Sequence, residues 1–166
     1  ADVLRGAQVG FLHCVTIYPT PLEELNLARM QFLRKFGKNV GFSDHSLVSR
    51  DGLIASKAAL ALGANIIERH FTILDEQDTK DGPVSIGPSE LKELTDFVQM
   101  SVEERVDRMD LAYSGWKKMI GEESRPLSAT ELLNRDYYRG RFASRRKQTA
   151  QGRPMIDNWE EVRLRG

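Results

Sequence analysis

The sequence predicts an α/β fold built on a parallel β-sheet. Short apolar segments of strand length alternate with segments of helical periodicity over the first hundred residues. Polar residues at the strand ends recur regularly, 27 residues apart from Thr16 to Ser43 and 25 residues apart from His45 to His70. That interval is the size of one strand–helix unit, and repeated units with short connections favour parallel pairing. An open doubly wound sheet and a closed (β/α)8 barrel both fit, but a barrel needs roughly 250 residues, so this chain would be a piece of one.

The first strand–helix unit is predicted over residues 9–37. Residues 9–14 form an apolar run of strand length. Thr20, Pro21 and Glu23 then supply a helix N-cap, a proline at the first helical position and a capping-box acid. Gly37 ends this predicted helix, whose apolar face consists of Leu22, Leu25, Phe32, Leu33 and Phe36.

The second and third units follow the same order. The second strand is predicted over 39–42 and is followed by a helix over 51–62, which is rich in alanine and leucine. Such a helix packs closely against a neighbour, and Gly63 supplies its stop signal. The third strand is predicted over 65–70.

A polar, acidic loop is predicted over 75–87. Such a loop is usually only solvated, but one of its carboxylates could instead hold the hydroxyls of a polyol or sugar. Asp81, beside Lys80 and ahead of a Gly-Pro pair, is the best-placed residue for an ordered bend over a site. Pro88 then opens a helix with an apolar face formed by Leu91, Leu94, Val98 and Val102.

The pattern weakens beyond this helix. Residues 107–134 are typical of a linker with some helix around 114–120, and the tail contains strand-like pieces at 141–144 and 162–164. The 24 basic and 24 acidic residues cancel, but unevenly along the chain. Up to residue 134 there are 15 basic and 20 acidic side chains (net −5), and the rest has 9 and 4 (net +5). Such a split indicates two parts with different roles.

The composition excludes several classes of protein. A single cysteine, Cys14, excludes an internal disulfide framework and a multi-cysteine zinc site. No apolar run reaches the 18 residues of a membrane-spanning helix, so no membrane partner is predicted. The first residues show no signal-peptide pattern, and we expect a cytoplasmic protein.

Polar residues concentrate at three predicted strand ends, at 13–21, 41–46 and 67–72. In a parallel α/β fold, the carboxyl ends of the strands face one crevice, where ligands bind. His45 and His70 lie at two of these ends, and neutral imidazole is a common ligand of divalent transition metals. We expect the two histidines to meet there, either as metal ligands or as hydrogen-bonded structural residues.

The neighbours of these histidines have different expected roles. His13 lies inside an apolar strand and is interpreted as a core or supporting residue, and Cys14 as a small buried hydrophobe. Asp44 is either an active-site acid or a turn or cap residue. Glu68 shares a strand face with His70 and could reach the crevice. Because an inward carboxylate is costly unless it is paired, Glu68 favours a polar site there over a dry core.

A non-enzymatic alternative rests on the basic tail. Arginines interleaved with tyrosines could form an arm that binds single-stranded nucleic acid. The competing interpretation, which we prefer, is a small basic domain that docks over an anionic substrate, with no nucleic acid as partner. The tail residues in question are Arg135, Tyr137, Tyr138, Arg139, Arg141, Arg145, Arg146 and Lys147.

Three segments resemble the motifs of the sialic acid synthase family, which includes N-acetylneuraminate synthases and their legionaminic, pseudaminic and spore-coat-polysaccharide relatives. They read HCVTIYPTP at 13–21, GFSDH at 41–45 and ALGANIIERHFT at 61–72. Their order and approximate spacing are those of the family. Another metal-dependent barrel aldolase or hydrolase with two histidines would not share all three motifs in this order.

The resemblance implies a fold and a division into domains. Residues 1–106 would form the C-terminal part of a (β/α)8 TIM barrel, 107–136 a linker, and 137–166 part of a small antifreeze-like domain. The family's phosphate-binding lysines and its glutamate base belong to the first half of the barrel. We therefore expect residues 1–166 by themselves to be inactive.

The resemblance also implies a reaction. The family condenses phosphoenolpyruvate with an N-acetylated sugar aldehyde, N-acetylmannosamine or a related hexose, for surface polysaccharide biosynthesis. The products are phosphate and a nine-carbon 2-keto sugar acid. A divalent metal, most often Mn²⁺ with Mg²⁺ or Co²⁺ as alternatives, activates the aldehyde. The expected assembly is a domain-swapped homodimer.

The family's metal and phosphoenolpyruvate contacts map onto the strand-end motifs. His45 and His70 match the two protein ligands of the metal. Ser43 matches a contact to phosphoenolpyruvate, and Thr16 stands near the same substrate, where many members have asparagine.

The remaining family site residues map outside the sheet. Tyr18 matches a tyrosine lining the substrate site. Asp81 matches the aspartate of a segment that reads Gly-Pro-Asp in many members and Thr-Lys-Asp at 79–81 here, and it is assigned to the sugar hydroxyls. We assign Tyr18 and Asp81 to the catalytic site. Near the end of the chain, Arg165 matches an arginine of the antifreeze-like domain that reaches the acceptor sugar in the partner subunit, with Arg163 as the alternative register.

Overall fold

The computed structural model describes residues 7–138, 147–148 and 154–155, and the chain divides into two compact units, Ala1–Pro126 and Leu127–Gly166. The described part of the first unit is built on parallel strands β1 (Gly10–Cys14), β2 (Asn39–Asp44) and β3 (Ile66–Arg69). The strands lie in the order β1-β2-β3. The predicted α/β class with a parallel sheet is confirmed, and all three strands lie at the predicted places.

The strand register gives the sheet two chemically different faces. Cys14 pairs with Ser43, which pairs with Glu68, and Leu12, Gly41 and Ile66 form the preceding row. We call the face formed by Leu12, Cys14, Ser43, Ile66 and Glu68 the open face, since all of these except Ser43 are exposed. The opposite, helix face carries Val40, Phe42 and Ile67, which pack in the hydrophobic core.

The first predicted helix is interrupted. A 3₁₀ turn covers Leu22–Glu24, and helix α1 begins only at Arg29 and ends at Arg34. Between them Asn26 has a φ of +47°, and its side-chain amide donates to the Glu24 carbonyl oxygen. A continuous helix was therefore the wrong prediction. Burying both Leu25 and Leu27, on either side of Asn26, requires a local backbone turn that helical spacing does not provide.

The second predicted helix is present, but it begins at Ile54 rather than near Asp51. Helix α2 covers Val48–Asp51 and helix α3 covers Ile54–Ala61, with Gly52 at φ +55° between them. This left-handed backbone favours glycine. Residues 55–61 of α3 are all buried, as expected for a small-residue helix that packs closely on its neighbours.

Two further helices pack on the outside of α3. Helix α4 (Pro88–Val98) is followed by α5 (Val102–Ala112), which begins at a capping box formed by Ser101 and Glu104. The predicted apolar face is only partly buried, because Leu94 is in the core whereas Leu91, Val98 and Val102 are exposed.

Part of the predicted linker belongs to the core of the first unit. Met109 of α5 is buried, as are Trp116 and Met119 of the 3₁₀ turn Trp116–Met119. The Trp116 indole nitrogen donates to the Asp110 carboxylate at 2.7 Å. These large side chains complete the cover over the small residues of α3.

The second unit contains helix α6 (Ala129–Tyr138) and the antiparallel strands β4 (Lys147–Gln148) and β5 (Pro154–Met155). Ser128 and Glu131 exchange backbone and side-chain hydrogen bonds at the start of α6. The strand-like pieces predicted at 141–144 and 162–164 lie outside the described residues. Within the described part of the chain, no helix has the length and hydropathy to cross a membrane.

Replacing Gly41 should disrupt the sheet. A Cβ at this position would overlap the backbone carbonyl of Ile66, its partner in β3. Gly41→Ala is expected to lower the free energy of unfolding by at least about 2 kcal/mol, because backbone cannot move aside as a side chain can. Urea unfolding of the full protein measures this change.

Gly10→Ala is the matched control for Gly41→Ala. A Cβ there would meet the flexible end of the Ile66 side chain, 2.9 Å away, rather than backbone. Its expected cost is below about 1 kcal/mol. If both variants lost the same free energy of unfolding, overlap with the Ile66 backbone would not explain the effect of Gly41→Ala.

Candidate functional site

Side chains from all three strand ends meet at one edge of the sheet. The ring centroids of His45 and His70 are 5.5 Å apart. The Tyr18 ring lies against both, with centroids 5.1 Å from His45 and 6.0 Å from His70. The structure therefore brings together both predicted metal ligands and the predicted substrate-site tyrosine.

Strand alternation explains this convergence. Ser43 and Glu68 are register partners on the open face of β2 and β3. Two residues further along each strand direction, His45 and His70 follow on the same side. Because parallel strands end at the same edge of a sheet, the two histidines are neighbours in space although they are 25 residues apart in the sequence.

Asp81 reaches the site from the loop after β3. The Tyr18 hydroxyl donates to one Asp81 carboxylate oxygen at 3.0 Å, and the other oxygen is 3.7 Å from His70 Nδ1. The loop backbone is held by the Ser85 hydroxyl, which donates to the Asp81 carbonyl oxygen at 2.7 Å. Burial raises the pKa of Tyr18 to about 12, and the nearby Asp81 carboxylate adds to this shift. The phenol is therefore protonated at neutral pH.

Ser43 and Glu68 form a second polar pair beside the histidines. The Ser43 hydroxyl donates to the Glu68 carboxylate across the two paired strands. The sequence placed Glu68 on the face of His70 but gave it no role in the site. Its partner could be found only from the strand register.

The structure corrects the predicted burial of Cys14. The thiol was expected to be buried, but it is exposed on the open face, with Sγ 3.7 Å from His45 Nδ1. An apolar run indicates a strand but does not say which alternate residues face the core. Partial burial raises the pKa of the Cys14 thiol, so it is protonated at neutral pH.

The histidine pair suits a transition metal in its donor chemistry. Burial lowers the pKa of His45, and the neighbouring His70 acts in the same direction while Glu68 opposes it. His45 is therefore neutral near pH 7, the form that binds metals. Within the residues that the structure describes, no group of three or more His, Cys, Asp or Glu side chains is arranged around a metal site. The metal-binding donors that this chain offers are therefore the two imidazoles of His45 and His70.

Asp44 and His13 serve the fold. The Asp44 carboxylate is buried and accepts hydrogen bonds from the Ser46 amide at 2.8 Å and the Ser56 hydroxyl at 2.5 Å. Of its two possible roles, the structure supports the turn-stabilising one. His13 is buried on the helix face, with Nε2 2.6 Å from the Leu25 carbonyl oxygen, as its strand position predicted.

Two predicted contact residues are less defined by the structure. Thr16 is exposed in the segment between β1 and Tyr18. Arg165, and its alternative Arg163, lie outside the described residues. Their assigned contacts stay predictions.

Comparison with known proteins agrees with the motifs. Residues 2–107 match the model of the NeuB family. The chain belongs to the NeuB family. Its matched residues contain every strand of the parallel sheet and every described side chain of the site, and the family predicted from the motifs is confirmed.

The relatives of this NeuB family chain include named synthases. N,N'-diacetyllegionaminic acid synthase of Campylobacter jejuni is 43% identical over 91 residues, which cover 54% of this chain and 26% of that protein. Spore coat polysaccharide biosynthesis protein SpsE of Bacillus subtilis is 34% identical over 140 residues, covering 82% of this chain and 36% of that protein.

The fold agrees with a solved structure from the same group. The crystal structure of SpsE from Bacillus subtilis superimposes with a TM-score of 0.59 and 30% sequence identity, covering 78% of this chain and 36% of that one. The NeuB family chain therefore spans only 26% to 36% of the length of these relatives.

Removing the Tyr18 hydroxyl should loosen the loop that carries Asp81. Tyr18→Phe keeps the ring beside both histidines but loses the hydrogen bond to Asp81. A hydrogen bond contributes about 1 kcal/mol, so amide exchange at 79–82 is expected to become roughly fivefold faster. Hydrogen–deuterium exchange with mass spectrometry measures this rate.

The control for Tyr18→Phe is Tyr113→Phe, which removes a phenol hydroxyl at the end of α5, away from the site. Exchange at 79–82 should be unaltered in that variant. If Tyr18→Phe also left it unaltered, the Tyr18–Asp81 bond would not be what orders the loop.

Proposed function

We propose that this chain contributes to the active site of a sialic-acid-type synthase that makes a sugar acid for surface polysaccharide. The reaction would condense phosphoenolpyruvate with an N-acetylated sugar aldehyde to a nine-carbon 2-keto sugar acid and phosphate. The observation that carries the proposal is the convergence of Tyr18, His45, His70 and Asp81 at one sheet edge of a NeuB family chain.

His45 and His70 are the residues that would hold a divalent metal, with Mn²⁺ as the first candidate and Mg²⁺ or Co²⁺ as alternatives. When bound, the metal would supply Lewis-acid polarisation of an aldehyde oxygen. Two imidazoles occupy only part of a coordination sphere, so positions stay open for substrate and water. The lowered pKa of His45 favours the neutral ring that such binding needs.

The reaction joins two carbon atoms and releases phosphate. The alkene carbon of phosphoenolpyruvate attacks the aldehyde carbon, and the aldehyde oxygen becomes a hydroxyl. Water adds to the cationic carbon that this leaves, and the resulting tetrahedral intermediate expels phosphate to give the 2-keto acid. The Glu68 carboxylate, exposed at the strand end, is suitably charged to stabilise positive charge that develops there.

The hydroxyl and carboxylate groups of the chain would position the two substrates. Asp81 is about two fifths exposed (40%), so its carboxylate can accept hydrogen bonds from sugar hydroxyls as well as from Tyr18. The protonated Tyr18 phenol keeps that carboxylate oriented. Ser43 would contact phosphoenolpyruvate because it matches the family motif, and Thr16 would stand near the same substrate, at a position where many members have asparagine.

The remaining parts of the family architecture belong to the same proposal. They are the closed (β/α)8 barrel, the antifreeze-like domain, the domain-swapped homodimer and the cytoplasmic location. In this arrangement Arg165 would reach the acceptor sugar of the partner subunit.

Removing either histidine should abolish metal-dependent condensation. In the complete enzyme, His45→Ala and His70→Ala are each expected to reduce Mn²⁺-dependent phosphate release from phosphoenolpyruvate and N-acetylmannosamine by at least about a hundredfold. Each variant removes one of the two protein donors. Phosphate release is measured after chelator treatment, with and without added Mn²⁺.

The chain's third histidine provides the control. His13→Gln changes an imidazole on the helix face of the sheet, and activity and Mn²⁺ dependence should be kept in the folded variant. Near-normal condensation by His45→Ala or His70→Ala, with unchanged metal dependence, would overturn the ligand assignment.

A further inference from the structure

We infer that Asp44 and Arg69 are positioning residues that set the spacing of His45 and His70, an inference that rests on the proposed function of those histidines. Each of the two residues directly precedes one histidine in the sequence. They are also register partners in β2 and β3. A bond between them therefore fixes the two strand ends from which the imidazoles project.

Strand alternation separates the ion pair from the histidines. Adjacent residues of a strand point to opposite faces, so the pair lies on the helix face while the imidazoles lie on the open face. The Asp44 side chain is fully buried and that of Arg69 is 2% exposed. The hydrogen bonds of both side chains go to Ser46, Ser56 and each other rather than to an imidazole, so the positioning role is argued through the backbone.

Arg69 clamps the backbone on both sides of His45. Its guanidinium bonds the Asp44 carboxylate, one residue before His45. It also donates to the Ser46 carbonyl oxygen at 2.9 Å and to the Ser46 hydroxyl at 3.2 Å, one residue after His45. Arg69, which precedes His70, therefore bonds both sequence neighbours of His45.

The rest of the network anchors this clamp to the helix layer. The Asp44 carboxylate also accepts from the Ser46 amide and from the Ser56 hydroxyl of α3. A buried ion pair is poor evidence for net stability, because desolvation offsets the attraction between the charges. The planar guanidinium, however, holds its donors in a rigid fork, so it can bond these partners in few relative positions. A positioning role accounts for charges buried here better than stability does.

The test separates positioning from folding with a neutral replacement. Arg69→Lys keeps the charge but loses the planar fork. Asp44→Asn combined with Arg69→Met removes both charges of this pair. Asp44→Asn alone is avoided because it would leave the buried guanidinium without its counter-charge. In the double variant the amide oxygen at position 44 can still accept from the Ser46 amide, and its NH₂ group can donate to the Ser56 hydroxyl, which then accepts instead of donating.

Mn²⁺ affinity of the full protein is the readout, measured by the relaxation enhancement of water protons. Both variants are expected to bind Mn²⁺ about 10- to 100-fold more weakly, as when other supports of metal ligands are removed. Urea unfolding is measured in parallel, and the double variant should keep a midpoint close to that of the unaltered protein.

Lys57→Met is the matched control. It removes another ion pair of the helix layer, between Lys57 of α3 and Glu93 of α4, which flanks neither histidine. Its Mn²⁺ affinity should stay within about threefold of the unaltered protein even if its unfolding midpoint falls.

The outcomes distinguish this inference from the proposed function. If His45→Ala and His70→Ala abolish Mn²⁺ binding but the double variant binds within about threefold of the unaltered protein, the positioning role is wrong and the metal site stands. If the histidine variants bind Mn²⁺ normally, the proposed metal site fails and the positioning role with it. If the Arg69→Lys variant fails to fold, the Mn²⁺ affinity of the double variant decides whether the positioning role is correct.

Discussion

The register of the parallel strands is the constraint on which the rest of the structure depends. It pairs Asp44 with Arg69 and Ser43 with Glu68, and so decides which polar groups meet. The Asn65 side chain helps to fix it by accepting from the Val40 amide at 3.0 Å. Because side chains alternate, a slip of β3 by one residue against β2 would turn His70 towards the helices and Arg69 towards the open face, and would separate Arg69 from Asp44.

Alternation also divides the chemistry of each strand end between two tasks. On the helix face, charges are buried and bonded, as the hydrogen bonds of Asp44 to Ser46 and Ser56 show. On the open face, His45, His70 and Asp81 keep partial exposure and can meet a ligand. Each of the dipeptides Asp44-His45 and Arg69-His70 thus supplies a structural charge and then a candidate metal ligand. Residue type alone could not separate these two roles.

The sequence predicted the strands and the meeting of the histidines because both follow from local periodicity. It failed at Asn26, where the burial of neighbouring side chains overrides helical propensity. Cys14 was misplaced for a related reason, since an apolar run does not identify its buried face. The Ser43–Glu68 pair depends on register, which no single strand encodes, whereas the roles of His45 and Asp81 came from family motifs.

The site combines a rigid part with a part that can vary. His45 and His70 project from paired strands, whereas Asp81 comes from a loop held by local contacts, including the close approach of Gly82 to the Glu76 carbonyl. Loops tolerate sequence change better than the strands that carry them. In the proposed reaction, the strand ends would serve chemistry common to all acceptors, and the loop at 75–87 would select among sugars. Substitutions beside Asp81, such as Thr79 and Lys80 here, can then alter the acceptor without disturbing the metal ligands.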